Sequence, residues 1–500
     1  MSPFLILLIG MAVVVGGIVG LRLHAFLALI LAALVVSVLA TPEAVYRSQF
    51  DSDQRAALFG DKEIVAENAN LEAVDEKGRP LADEHWAAVK KADSTFIGRV
   101  TAAFGNGCSK MAIIIAMAAI IGKCLLDSGG AERIVISLQR AFGQKRTPIA
   151  FSASAFTLGI PVFFDTVFYL LMPLGKAMRA KTGKDYLLYI LTIVAGATMA
   201  HSLVPPTPGP LTVAEFFGED VSIGEMMLGG LIVGMVTVTT GYFFAKWANR
   251  RWEIPLRPSA ELSEEELSAM ANRDEKELPG LFFSLLPILL PIVLIGGLTI
   301  SKEFLGVKPA LLSILGDKNI ALIVAAFVAL VLLAVAKRKS LADLGSSVQS
   351  ALASGGVIIL ITSAGSAFGG VLRDTGIADS VAGLVPANQS LLLIPIAFLI
   401  TAAVRTAQGS ATVAMITAGG IVAPIAGAVD LAFHPLYLAL AIGCGSKPIM
   451  WANDSGFWII GRMSGMTPVE TFKTVSVMMI AMSVAGLITV LVGALVFPMA

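Results

Sequence analysis

The chain has 500 residues, of which 56% are hydrophobic and only 14% charged. Soluble domains carry roughly a quarter charged residues, so the composition excludes an ordinary soluble protein and indicates a polytopic membrane protein. The 36 Lys and Arg residues balance 36 Asp and Glu residues, which leaves no net basic charge to attract nucleic acid. The three cysteines and four histidines are too scattered for a disulfide framework, a metal site or a cofactor.

Apolar stretches that predict membrane helices occur along the whole chain, since a spanning helix needs about 20 apolar residues. Five stretches contain no charge: 3–20, 226–245, 281–301, 351–372 and 474–500. Five others are shorter or interrupted: 24–40, 111–122, 187–204, 320–336 and 391–404. The fold class predicted from these stretches is an all-α polytopic membrane protein.

Two polar segments interrupt the apolar pattern. Residues 42–98 hold 12 acidic and 7 basic side chains and predict an insert outside the membrane. Residues 246–279, with the acidic run Glu264–Glu266, predict a cytoplasmic linker between two halves. The predicted halves are therefore residues 1–245 and residues 280–500.

The two halves resemble each other at an offset of 247 residues. The block 122–132 (GKCLLDSGGAE) aligns with 369–379 (GGVLRDTGIAD). When the clusters of Lys and Arg are placed in the cytoplasm, the insert 42–98 lies outside and each half crosses the membrane five times. Because five is odd, the two copies are predicted to be inverted repeats.

Each half also contains a predicted re-entrant hairpin and a broken helix. The hairpins span 148–176, turning at Gly159–Asp165, and about 391–429, turning at Arg405–Thr412. The breaks fall at 201–210, where four prolines lie within six residues, and at 443–456. Inverted repeats with broken membrane segments are typical of secondary transporters, which bind substrate at the breaks.

Arg405 is a fixed cation at a hairpin turn, where charges are costly and mark a substrate or ion path. Its planar guanidinium suits a carboxylate, although a structural role, clamping the hairpin to nearby carbonyls, is equally open. The full set of predicted substrate-binding residues is Arg405, Gln408, Ser410, Thr412, Ser202, Thr207, Ser446, Lys447 and Asn453.

Asp165, Asp454 and His201 are the predicted proton-coupling residues. Burial favours the neutral form of a carboxylate, and Asp165 lies next to Phe163 and Phe164. Asp454 is slightly better explained as a helix cap, and a lone membrane histidine is more often a packing residue. Lys447 is either an ion-pair partner of Asp165 or a second cation for the substrate.

Several blocks in the right order resemble the gluconate:proton symporter family of the ion-transporter superfamily. They are 128–134 (SGGAERI), 204–210 (VPPTPGP), 409–413 (GSATV), 416–421 (ITAGGI) and 453–458 (NDSGFW). The resemblance implies proton-coupled uptake of gluconate-like sugar acids or small hydroxy or amino acids in the inner membrane. It also implies a homodimer with a moving core and a fixed scaffold.

The chain departs from the family pattern at positions that line the site. Histidine is usual at the position of Thr207 and near Trp451, a small polar residue at that of Lys447, and often glutamate at that of Asp165. The predicted partners are a small organic anion, protons and the lipid bilayer. Sodium coupling is the alternative, because hydroxyls and freed carbonyls at 409–412 suit Na⁺. A membrane enzyme or a channel is less favoured, since no nucleophile–base pair is present and a channel needs no occluding hairpins.

Overall fold

A computed structural model describes most of the chain. The described residues are 2–49, 88, 90–143, 146–257, 278–303, 306–337, 341–377, 387–427, 429–451 and 454–499. Within these ranges all regular structure is helical, which confirms the all-α prediction.

The helices of the first half begin near the N-terminus and end before the predicted linker. They are α1 (Pro3–Val15), α2 (Ala25–Leu39), α3 (Pro42–Arg47), α4 (Phe96–Ser128), α5 (Gly130–Phe142), α6 (Thr147–Gly159), α7 (Phe164–Thr182), α8 (Tyr186–Leu203), α9 (Pro208–Phe217) and α10 (Ile223–Arg251).

The second half repeats the same kinds of element. Its helices are α11 (Leu281–Glu303), α12 (Ala310–Leu315), α13 (Lys318–Lys337), α14 (Leu341–Arg373), α15 (Leu393–Gln408), α16 (Ala411–Ala426), α17 (Leu436–Gly445), α18 (Ser455–Ser464), α19 (Pro468–Thr471) and α20 (Val477–Val496). A π-helical turn, Phe472–Ser476, joins α19 to α20.

Seven helical segments of the described chain are long and apolar enough to cross a membrane. They include α4, α10, α11, α13, α14, the α8–α9 segment and the α19–α20 segment. Five further apolar helices are shorter, among them α1, α2 and the helices around the second predicted hairpin. These helices establish a multi-pass membrane protein.

The longest helices, α4 and α14, pack against each other in antiparallel orientation. As the residue number rises along α4, that of the neighbour in α14 falls: Ala103 lies by Gly370, Gly107 by Ser366 and Ala119 by Gly355. Small residues at these positions let the two backbones approach closely, as membrane helices require for van der Waals attraction.

Asp127 and Asp374 fasten the two ends of this helix pair. Asp127 pairs with Lys123 at 2.9 Å and accepts a hydrogen bond from Ser347 of α14 at 3.1 Å. Asp374 pairs with Lys91, just before α4, at 2.7 Å. Each carboxylate therefore has a partner that is remote in sequence, Ser347 for Asp127 and Lys91 for Asp374.

The helix starts around the predicted breaks repeat at the offset found in the sequence. α7 and α16 start 247 residues apart, and so do α9 and α18. The antiparallel α4–α14 pair agrees with an inverted duplication, and inversion of the complete halves stays a prediction.

Helix α10 continues to Arg251, so the first residues of the predicted linker 246–279 are helical. Residues 258–277 of that linker and 50–87 of the insert lie outside the described residues. The two ends of the insert, including α3, pack on the helical bundle, where Val45 and Ala92 are buried together with Ala40.

Candidate functional site

The two hairpins and the two broken helices predicted from the sequence are all present. α6 and α7 form the first hairpin, and α15 and α16 form the second, which turns at Gly409 with a left-handed φ of 89°. Residues 204–207 separate α8 from α9, and residues 446–454 separate α17 from α18.

Local chemistry explains where the helices restart after these breaks. Thr207 is the residue before α9, and two prolines occupy the first turn, where a missing N–H costs nothing. Ser410 accepts a hydrogen bond from the Val413 amide at 3.3 Å at the start of α16. Asp454 accepts one from the Gly456 amide at 2.6 Å at the start of α18, so its predicted cap role is present.

Contacts between these segments bring the two hairpins and the two broken helices together. The Ser202 and Ser446 hydroxyl oxygens lie 3.1 Å apart and join the two broken helices. Gly209 at the start of α9 faces Met415 and Thr412 of the second hairpin. At the equivalent position in the other half, Gly456 at the start of α18 faces Phe164 of the first hairpin.

His201 completes this arrangement on the side of the first hairpin. Its ring packs edge-on against Phe163, with centroids 5.9 Å apart, and is buried. Its Nδ1 atom has no hydrogen-bond partner among the described residues. Besides its packing contact with Phe163, the ring therefore offers a polar atom to the interior.

Arg405 is 1% exposed, and the protein itself engages its guanidinium. Nε donates to the Ser446 carbonyl at 3.0 Å, Nη1 donates to the Gly409 carbonyl, and Nη2 forms an ion pair with Asp454. This geometry matches the clamping role left open by the sequence. It fixes the hairpin turn onto the second break, and contact with a substrate stays a prediction.

Lys447, the neighbour of Ser446, is 3% exposed. In the described part of the chain its ammonium has neither a salt-bridge nor a hydrogen-bond partner. The ion pair with Asp165 that the sequence left open is thus not formed. Asp165 is partly buried and lies in the first turn of α7. The positive end of the helix dipole there stabilises its negative charge.

The remaining predicted residues take up different positions around the breaks. Thr207 is buried and donates its hydroxyl to the Val204 carbonyl at 2.7 Å. Thr412 is partly buried in the first turn of α16, and Gln408 is the last residue of α15. Asn453 lies outside the described residues.

Sequence reasoning did not assign a role to Trp451 beyond a departure from the family pattern. Its indole Nε1 donates to the Thr406 carbonyl at 2.9 Å, which holds the second break against the end of α15. An isolated tryptophan in a polar break is the sequence signal, but its partner is 45 residues away and cannot be predicted locally. Among the described residues no group of three His, Cys, Asp or Glu side chains is arranged to hold a metal ion.

Two hairpins and two broken helices that meet at buried polar groups, inside a multi-pass helical bundle, define a membrane carrier. The chain belongs to the GntP permease family, whose model matches residues 92–496. The start of this match, residue 92, falls at the end of the insert.

Relatives from several bacteria support this assignment. The chain is 35% identical to a gluconate permease of Pseudomonas aeruginosa over 79% of this chain and 86% of that protein. It is 31% identical to the high-affinity gluconate transporter of Escherichia coli, over 78% of this chain and 87% of that protein. It is 36% identical to an uncharacterized permease of Haemophilus influenzae, over 76% of this chain and 78% of that protein. These relatives are permeases and transporters, so the chain is a permease and not an enzyme.

A solved structure has the same fold at low sequence identity. The crystal structure of the Alcanivorax borkumensis YdaH transporter, described as having an unusual topology, matches with a TM-score of 0.62 and 14% identity. The match covers 94% of this chain and 99% of that one.

Proposed function

We propose that the protein takes up a small organic anion, a gluconate-like sugar acid or hydroxy acid, together with protons. The observation that carries the proposal is Lys447, a buried residue, 3% exposed, whose ammonium has no counter-ion in the described chain. A buried charge is costly unless it is paired. Because Arg405 and Asp454 neutralise each other, the substrate carboxylate is the charge that Lys447 lacks.

The groups around Lys447 suit an acid that carries several hydroxyl groups. Hydroxyls of Ser202 and Ser446 meet there, and the restarted helices α9, α16 and α18 begin around them. Helix N-termini favour anions through their free N–H groups. The two gluconate-transporting relatives named above point to the same class of substrate.

Charge balance suggests how protons couple to uptake. With Asp165 ionised, the charges of Asp165 and Lys447 cancel, and an additional anion is disfavoured. With Asp165 protonated, one positive charge remains for one carboxylate. Substrate and proton then bind together, which is the requirement for symport.

Alternating access is proposed to follow the elevator type in a homodimer. The α4–α14 pair is suited to act as the fixed scaffold, and the hairpins with the broken helices as the moving core. Between them, α14 meets α16 at glycines: Gly369 lies against Gly420, and Gly365 against Ile416. At Gly369 and Gly420 the two backbones meet without an intervening side chain, which suits sliding of one helix along the other.

Uptake by proteoliposomes with an imposed pH gradient tests the proposal. Sugar acids and hydroxy acids are expected to accumulate without sodium, and a protonophore is expected to stop accumulation. Uptake that requires sodium and resists the protonophore would establish the sodium-coupled alternative. Absence of uptake for every acid tested would refute the proposed substrate class.

Lys447 itself provides the variant test. Lys447→Met is expected to abolish uptake while the protein folds at least as well, because an unpaired buried charge is removed. Lys447→Arg, which keeps the charge, serves as the matched control and is expected to retain part of the uptake. Normal uptake by Lys447→Met would contradict the proposed role.

A further inference from the structure

A large cavity lies away from the candidate site, between the long antiparallel helices and the ends of two site helices. Its volume is about 960 Å³. Residues of α4 and α14 form two walls, the C-terminal ends of α9 and α16 form a third, and residues flanking the insert, among them Lys90 and Ser94, complete it.

The charges that line this cavity are mainly positive and largely unpaired. Lys90, Lys110 and Arg373 have no carboxylate partner among the described residues, and Arg373 donates only to the Phe216 carbonyl at 3.4 Å. Arg99 is held by the carbonyls of Ser37 and Ser94, which leave its charge in place.

The negative groups nearby are fewer. Glu215 is paired with Lys318, so Asp220 is the one unpaired carboxylate in the described lining. The C-terminal ends of α9, α14 and α16 and the N-terminal end of α4 together contribute about one further negative charge. Four cations against roughly two negative charges leave the cavity electropositive.

The free cations are staggered along the cavity. Gly107 of α4 faces Ser366 of α14, so the exposed Lys110, almost one turn further along α4, lies farther from the insert than Arg373 does. Ten residues of helix, about 15 Å, separate the level of Lys110 from that of Arg373. Lys90 and Arg373 therefore flank the end near the insert, and Lys110 lies at the inner end.

The inner end approaches the level of the candidate site. Gly365 of α14 lies against Ile416 of α16, and Ile416 is less than two turns from the hairpin turn at Ser410. α9 likewise connects the two places, because its C-terminal end lines the cavity and Thr207 precedes its first turn. Phe216 packs against Gly369 and Gly419 between them.

We propose that this cavity is an outer binding site that collects small carboxylates before they reach the breaks, with Lys110 as its innermost contact. The inference rests on the proposed anionic substrate. A cleft of one charge sign raises the local concentration of oppositely charged ligands and speeds their binding. Removing a lining cation therefore raises the KM, so that uptake slows at low substrate concentration, and leaves the maximal rate unchanged.

The electrostatic part is tested without transport. In a Cys108→Ser background, Asn106→Cys places a thiol on the cavity wall, and anionic and cationic thiosulfonate reagents compete for it. We expect the anionic reagent to be favoured about ten-fold relative to a free thiol in solution. The preference is expected to disappear in the Lys90→Gln, Lys110→Gln, Arg373→Gln triple variant and to persist in Lys246→Gln, whose exposed cation lies outside the cavity. A preference that is absent, or unchanged in the triple variant, overturns the inference.

Transport kinetics provide the second part. Lys110→Gln is expected to raise the KM for the sugar acid about five-fold with the maximal rate within two-fold, and Lys110→Arg to restore it. An unchanged KM overturns the inference even if uptake is otherwise as proposed. If wild-type vesicles take up no organic acid while the reagent preference is present, the proposed function fails and the anion-binding cavity stands.

Discussion

Arg405 and Lys447 are both buried cations in the second half, and their neighbours decide what substitution does to each. Arg405 is compensated by Asp454 and by two carbonyls, whereas Lys447 has no counter-ion among the described residues. Removal of Arg405 therefore destabilises the fold, because the buried Asp454 carboxylate loses its partner. Removal of Lys447 leaves no carboxylate unpaired.

Arg405→Met is expected to lower the free energy of unfolding by about 3–5 kcal/mol, since Asp454 then remains buried and unpaired. Adding Asp454→Asn to the same variant removes the charge and is expected to recover part of the loss. Thermal unfolding in detergent measures both. Equal stability of the wild type and Arg405→Met would show that the pair is not formed.

Asp165→Asn mimics the protonated carboxyl group permanently. We expect it to abolish accumulation of substrate against a gradient and to spare exchange of substrate across the membrane, because binding needs only the neutral form. Counterflow and pH-driven uptake in proteoliposomes separate the two activities. If the variant still concentrates substrate in response to a pH gradient, coupling lies elsewhere, with His201 or Asp454 as the next candidates.

At the scale of elements, the contact between α14 and α16 depends on glycines that leave no room for a methyl group. A Cβ atom added at Gly365 overlaps the Ile416 side chain near its branch point, and one added at Gly369 comes within 2.9 Å of the Gly420 Cα. Gly356 lies on the same helix, and a Cβ atom there meets nothing within 4 Å.

Gly365→Ala is expected to destabilise the protein by about 1–3 kcal/mol and to slow uptake, because the helices must separate to admit the methyl group. Gly356→Ala is the matched control and is expected to be neutral or to stabilise by about 0.5–1 kcal/mol, as for an unobstructed helical glycine. Thermal unfolding compares the two directly. Equal effects at both positions would mean that the α14–α16 contact is loose.

At the scale of the whole molecule, both ends of the insert are fixed to one buried carboxylate. Asp374 is 1% exposed and accepts from Lys91 at 2.7 Å and from Gln49 at 3.4 Å. The end of α14 is thereby connected to the segment that precedes α4. This connection limits which part of the insert is dispensable.

Replacing residues 50–87 with a short Gly-Ser linker is expected to leave stability and substrate binding near wild type, because Gln49 and Lys91 stay in place. Deleting residues 48–92 removes both partners of Asp374 and is expected to lower the yield of folded protein markedly. Size-exclusion profiles of fluorescent fusions distinguish these outcomes. Identical profiles for the two deletions would argue against a structural role for the Asp374 contacts.

Local rules were sufficient to predict much of the architecture from the sequence. Apolar stretches, clusters of Lys and Arg, four closely spaced prolines and the expected cap at Asp454 predicted the helical class, both hairpins and both breaks. These features depend on neighbouring residues, because helix length, missing N–H groups and capping act within one or two turns. The resemblance to the gluconate:proton symporter family likewise rests on short blocks, and the family assignment agrees with it.

Tertiary structure decided which charges are compensated, and through this the roles of the candidate site residues. Arg405 pairs with Asp454 across 49 positions and Asp374 with Lys91 across 283, while among the described residues no ion pair joins Lys447 to Asp165. Likewise, Lys90, Lys110 and Arg373 come from three separate segments and line one cavity only after the long helices pack. Electrostatic energy depends on distance and burial in the folded chain, so no local pattern in the sequence predicts it.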